Sequence, residues 1–263
     1  MPRICFLNPF GTDEYDDIIS ETLLPAVRGG TEVEIRHLTA GPRNIEYYVP
    51  KHLAEVEVLK AVVEAERDGF DAFVIGCCYD PALVPARELT DMPVVGALEA
   101  SVSLARLFGH RFSLVTDEHK AMPCIEDLIR LYGLESNCRS VSSIDWFLSD
   151  MMADPGAVAR DTYTRCVEVM DEDNSEVVVL GCTIVAACYE QAILRGATEL
   201  ADIAVVNPNL MALKLAEMLA DMHAVGQYRV SRKAYYQQHA AHDPVEAAQV
   251  LELLTPASTA SRA

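Results

Sequence analysis

Twice in this chain an apolar stretch runs straight into a Gly-Cys pair: residues 71–77 end in Gly76-Cys77 and residues 176–182 end in Gly181-Cys182, 105 positions later. Each stretch has the length and character of a buried strand, and each is followed by a helix-like segment, so a thiol stands where a parallel strand gives way to a helix. Two further landmarks keep nearly the same spacing. Asn8 and Thr116, each closing an early strand, lie 108 positions apart; Gly96 and Asn207, each closing a late strand, lie 111 apart. Short apolar runs at 4–7, 33–35, 72–75 and 94–95 recur at 112–115, 177–180 and 204–206, with a weaker candidate near 138–141 and helical stretches between the runs. The segment 51–67 shows this alternation: Leu53, Val56, Leu59, Val62 and Val63 have helical spacing and form its expected apolar face. The pattern predicts an α/β fold of two similar domains with parallel central sheets, related by a pseudo-twofold axis, with the active site between them.

The expected first domain spans residues 1–97 plus 208–228, because a last helix returns to pack on it, and the second spans 98–207. Residues 229–263 form a C-terminal extension, with a short helix at 244–254 and a disordered end. A length of 263 residues, 51% of them hydrophobic, is enough for two cored domains. The charge excludes some partners. Lys and Arg total 21 against 40 Asp and Glu, a net charge of −19, and no basic cluster interrupts it, so neither nucleic acid nor a membrane surface is an expected partner. No apolar run reaches the roughly 18 residues that span a bilayer, and the opening apolar residues meet Asn8-Pro9 too soon for a signal peptide. A cytoplasmic location is expected, with a small molecule as substrate.

Eight cysteines in such a compartment do not imply disulfides, and they lack the spacing of a zinc site: Cys77 and Cys78 are adjacent, Cys182 and Cys188 are six apart, and no CxxC occurs. The seven histidines are scattered and no phosphate-binding glycine loop is present, so no metal site and no cofactor are expected. What remains is thiol chemistry. At a helix N-terminus, unpaired amides and the positive end of the dipole favour a thiolate, which would lower a free thiol pKa of about 8.5. If the halves face one another, Cys77 and Cys182 reach one cavity from opposite sides. That arrangement suits inversion of a carbon beside a carbonyl, where one base removes a proton from one face and an acid returns it to the other. Backbone amides after each Gly-Cys, with the Thr116 and Thr183 hydroxyls, are candidate donors to the enolate. Cys5, Cys124, Cys138, Cys166 and Cys188 read as packing residues, and Cys78 as a pocket wall. A strained disulfide between Cys77 and Cys78 is the redox alternative.

Several separated motifs resemble the aspartate/glutamate racemase superfamily, and within it the hydantoin and allantoin racemases: Asn8-Pro9; Gly41-Pro42 with Ile45-Glu46; Gly76-Cys77 followed by Asp80-Pro81-Ala82-Leu83 and Arg87-Glu88; Pro93-Val94-Val95-Gly96 with Glu99-Ala100; Leu180-Gly181-Cys182; and Leu213-Lys214-Leu215-Ala216. The resemblance runs from about Arg3 to about Tyr236. It implies a cofactor-independent racemase or epimerase acting at a carbon between a carbonyl and a nitrogen, on a hydantoin-like or other small amino-acid derivative. Cys77 and Cys182 are then its acid and base, and Asn8 and Thr116 its hydrogen-bonding residues. It also implies a homo-oligomer. The chain departs from the branch at Phe10, where a small polar residue is usual, and adds Tyr47 and Tyr79, so Phe10 and Tyr47 are candidate substrate contacts. Related chemistry in the superfamily leaves cysteine-dependent cis/trans isomerisation or decarboxylation of a small carboxylate as alternatives. A non-catalytic small-molecule binding protein is the alternative from another class.

Overall fold

A computed structural model describes residues 1–255. The first half runs β1 (Arg3–Asn8), α1 (Asp16–Leu23), β2 (Glu32–His37), α2 (Tyr48–Arg67), β3 (Ala72–Ile75), α3 (Leu83–Leu89), β4 (Val94–Gly96) and α4 (Ala97–Ala105). The second runs β5 (Phe112–Thr116), α5 (Met122–Leu131), β6 (Cys138–Ser143), α6 (Leu148–Met151), α7 (Pro155–Asp173), β7 (Val177–Leu180), α8 (Thr183–Leu194), β8 (Val205–Val206) and α9 (Pro208–Ala224). A last helix, α10 (Pro244–Leu254), follows. The strands form two four-stranded sheets of the same order, β2-β1-β3-β4 and β6-β5-β7-β8, and every pairing is parallel. The fold class expected from the repeated runs is therefore observed. Residues of β3 and β7 are all buried, as continuous apolar strands covered on both faces must be.

The two Gly-Cys glycines earn their place in packing. A Cβ on Gly76 would stand 2.8 Å from the Leu7 carbonyl oxygen, and one on Gly181 would meet Leu114 and lie 3.1 Å from Thr116 Cβ. Each glycine lets the strand before its cysteine close against the central strand beside it, sealed by equivalent bonds: Gly76 N–H to Leu7 O at 2.8 Å and Gly181 N–H to Val115 O at 2.7 Å.

One local expectation changes. The face of α2 that is fully buried is Ala54, Val58, Val62 and Ala65, whereas Leu53 and Val56 are exposed. Small residues fill the helix-to-sheet contact and leave the bulkier apolar ones outside it. The acidic stretch beginning at Asp171 is the end of α7, closed by Asn174 in the left-handed region at φ 53°. α9 packs on β1, β3, β4 and α4. In the extension, Arg232 donates to the Arg87 and Thr90 carbonyls at 2.8 and 2.6 Å, and α10 touches α2. The expected disordered end, from residue 256 on, lies outside the described residues. Among those described, no helix is long and apolar enough to cross a membrane.

Candidate active site

In a parallel sheet, ligands settle beyond the carboxyl ends of the strands where the strand order reverses. With these two orders, the reversal falls between β1 and β3 in one half and between β5 and β7 in the other. Cys77 follows β3 and Cys182 follows β7. Both line one cavity, together with Phe10, Ile45, Glu46, Cys78, Tyr79, Asp117, Leu148, Gly181 and Thr183. The two switch points thus open onto the same space, which offers only about 20 Å³ to the centre of a water molecule, room for about one water. Admission of a ring requires its walls to part.

The residues after the two cysteines cross between the halves. Thr183 Oγ1 donates to the Gly76 carbonyl at 3.0 Å, and Cys78 Sγ lies 3.8 Å from the Leu180 carbonyl. Each cysteine-bearing turn therefore rests on the end of the other half's strand. The turn after Cys77 is pinned further by Asp80, whose carboxylate accepts the amides of Leu98 and Glu99 at 3.0 and 2.8 Å and the Tyr132 hydroxyl at 2.7 Å. Asp80 and Ala82 have positive φ, 41° and 60°, and Gly96 must lack a side chain because a Cβ would sit 2.6 Å from the Asp80 carboxylate.

Burial reverses the expected thiol acidity. Desolvation pushes Cys77 up to about 12, with the Asp80 and Asp117 carboxylates adding to it and the Tyr79 amide, 3.4 Å from Sγ, opposing it. Cys182 is raised well above the ordinary thiol value by burial first and Asp117 next, against the amide of Val185. Only Cys182 stands at a helix N-terminus as expected; α3 begins at Leu83, six residues after Cys77, so the amide at Cys77 belongs to a turn, and at both sulfurs loss of water outweighs the amide. Asp117 itself is raised to about 6 by burial, countered by the Thr116 hydroxyl.

Of the residues expected in the site, Cys77, Cys182, Phe10, Cys78 and Thr183 meet at the cavity. Phe10 is held edge-on against Tyr15, with ring centroids 5.1 Å apart. Three do not line it. Tyr47 is 54% exposed with its ring near Lys120, because it stands just before α2 on the outer side. Thr116 is buried behind the wall, its hydroxyl 2.8 Å from Asp117 Oδ1 and 3.1 Å from the Gly181 carbonyl. Asn8 is also buried, its side-chain amide donating to Asp16 at 2.6 Å. Asp117 and Leu148 were not anticipated as site residues. Asp117 had a signal, since it immediately follows the strand-closing Thr116 at a switch point; Leu148 had none. Glu46 Oε1 accepts the Leu148 amide at 2.8 Å, joining the halves across the cavity mouth. Among the described residues, no Lys, Arg or His lines this cavity, and no cluster of three or more His, Cys, Asp or Glu could hold a metal.

Two matched α/β halves, each with its strand-order reversal opening onto one shared cavity, define a two-lobed α/β architecture with its site between the lobes. A family model described as Asp/Glu/Hydantoin racemase matches residues 4–216, and the chain belongs to that family and is an enzyme of the racemase class. Its relatives include the hydantoin racemase of Pseudomonas sp. (strain NS671), 31% identical over 227 residues, which span 84% of this chain and 86% of the relative. The hydantoin racemase of Rhizobium meliloti is 32% identical over 217 residues, 82% of this chain and 88% of that one. Among solved structures, an allantoin racemase from Klebsiella pneumoniae matches with a TM-score of 0.81 at 26% identity, covering 90% of this chain and 94% of its own. A glutamate racemase from Francisella tularensis shares the fold, with a TM-score of 0.57 at 15% identity, over 88% of this chain and 84% of that one.

Proposed function

We propose that this enzyme racemises or epimerises a small uncharged ring of the hydantoin type, with Cys77 and Cys182 as the acid and base at the carbon between a carbonyl and a nitrogen. The observation that carries this reading is the opening of both cysteine turns onto one cavity from opposite halves. In one direction the thiolate of one cysteine takes the proton, the electron pair moves into the adjacent carbonyl as an enolate, and the thiol of the other returns a proton to the opposite face. In the reverse direction the two exchange roles. No organic or metal cofactor enters the scheme.

The lining supports an uncharged substrate. Glu46 and Asp117 present carboxylates and no cationic side chain among the described residues lines the cavity with them, so a free amino acid or a malonate would leave its carboxylate without a counter-charge in a desolvated space. Ring N–H groups, by contrast, suit these acceptors. Opening of the cavity to admit the ring also admits water, which lowers the thiol pKa values and allows one sulfur to ionise before closure expels the solvent.

The test is loss of optical rotation by enantiopure 5-substituted hydantoins and allantoin, followed in deuterium oxide for exchange at the same carbon. Cys77→Ser and Cys182→Ser should each lower kcat by about 10²- to 10⁴-fold. Racemisation at the wild-type rate by either variant would overturn the assignment.

A further inference from the structure

We propose that the Tyr79 hydroxyl is the donor that holds the enolate oxygen while the proton passes between the two sulfurs; this rests on the racemase reading above. Tyr79 lies in the turn directly after Cys77 and lines the cavity shared with Cys182. Its side chain is 9% exposed, and its hydroxyl is buried with no hydrogen-bond partner among the described residues. A buried phenol without a partner is costly, and such a cost is retained where a ligand completes the bond.

Among the described residues, no other lining side chain offers a free O–H. The Thr183 hydroxyl is spent on the Gly76 carbonyl. Glu46 and Asp117 are acceptors when ionised, and Cys78 offers only a weak S–H. Phe10, Ile45 and Leu148 carry no side-chain donor. Tyr79 is thus the one uncommitted O–H among the lining side chains.

The position is controlled from both ends. The Tyr79 amide donates to Cys77 Sγ at 3.4 Å, which ties the ring to the reacting sulfur through a single residue. Tyr79 also lines a neighbouring groove together with Leu59, Leu83 and Leu128. Burial, reinforced by Asp117, Cys77 and Cys182, raises the phenol above its usual pKa and keeps it protonated. It therefore donates a hydrogen bond without giving up its proton: the α-proton goes to one sulfur, the pair of the broken C–H bond goes to the carbonyl oxygen, and the phenol binds that oxygen until the second thiol protonates the carbon. A donor aimed at charge that develops only in the transition state should raise kcat rather than tighten ground-state binding.

The experiment compares wild type, Tyr79→Phe, Cys77→Ser and Cys182→Ser on a panel of enantiopure hydantoins and allantoin. Tyr79→Phe should lower kcat by about 10²-fold with KM within about twofold. Its Tm should be unchanged or higher, because the variant removes an unpaired buried hydroxyl. The loss should grow as the substrate's α-hydrogen becomes less acidic. A Tyr79→Phe enzyme with wild-type kcat, beside inactive serine variants, overturns the role of Tyr79 and leaves the cysteine reading intact. A loss of kcat accompanied by a matching fall in Tm also overturns it, since the residue would then act through the fold. If wild type racemises none of the panel, or either serine variant keeps the wild-type rate, the cysteine reading fails and the Tyr79 role fails with it.

Discussion

Replacing Thr183 with valine removes one hydrogen bond and almost no volume, so it isolates the contact that ties the second cysteine turn to the first half. The bond is 3.0 Å long, spans 107 positions of sequence, and involves a hydroxyl on a residue that is 1% exposed. A neutral buried hydrogen bond of this kind contributes about 1–2 kcal/mol once the stranded carbonyl is counted. For a chain of this size that corresponds to a fall in Tm of about 3–6 °C. The functional cost should be larger in proportion, because Thr183 follows Cys182 and its partner Gly76 precedes Cys77. Relaxation of the brace by a fraction of an ångström displaces both reacting groups at once, and a misplacement of about 1 Å can cost about 10²-fold in rate. Thermal unfolding and steady-state racemisation of Thr183→Val and Thr183→Ser check this. The serine variant should keep both Tm and kcat. A valine variant with unchanged Tm whose only defect is a raised KM would refute the brace and assign the hydroxyl to substrate contact instead.

Asp117→Asn removes an anion that raises both thiol pKa values. Asp117 titrates at about 6, so above that pH it is charged and holds the thiols protonated; without it, the rising limb of kcat/KM against pH should move to lower pH, whatever its height. A limb that stays in place or moves to higher pH would contradict this electrostatic account. Gly96→Ala should cost about 1–3 kcal/mol in denaturant unfolding, because its Cβ meets the Asp80 carboxylate that caps α4. A stability equal to wild type would show that the turn after Cys77 can yield there.

The strands that position the site were legible because parallel strands buried on both faces must be continuously apolar, as β3 and β7 are. Edge strands carry less signal. β6 holds Arg139 and several serines, and only two of its residues are buried, so it stood out weakly from its surroundings. The buried stripe of α2 was misread for a related reason: alanine fits the close approach of helix and sheet, but a scan for apolar bulk favours Leu53 and Val56. At the site, the two Gly-Cys turns announced themselves through their repetition. Asp117 had only its place directly after Thr116 to mark it, and Leu148, the first residue of the short helix α6, had no signal. Tyr47 was misplaced because its neighbour Glu46 turns inward to cap α6 while Tyr47 faces out. Lowered thiol pKa values were expected from local helix geometry, and the reversal comes from burial, a property of the assembled cavity.

The two sulfurs do not have matching surroundings: the anions that raise Cys77 are Asp80 and Asp117, while Cys182 answers to Asp117 and has Val185 in place of Tyr79 as its amide donor. For a pair of mirror-image substrates the equilibrium constant is unity, so the forward and backward specificity constants must be equal however unlike the two flanks are. The asymmetry is then confined to how each direction divides that shared constant between saturation and turnover. Progress curves begun from opposite enantiomers should differ in curvature and still arrive at the same racemate.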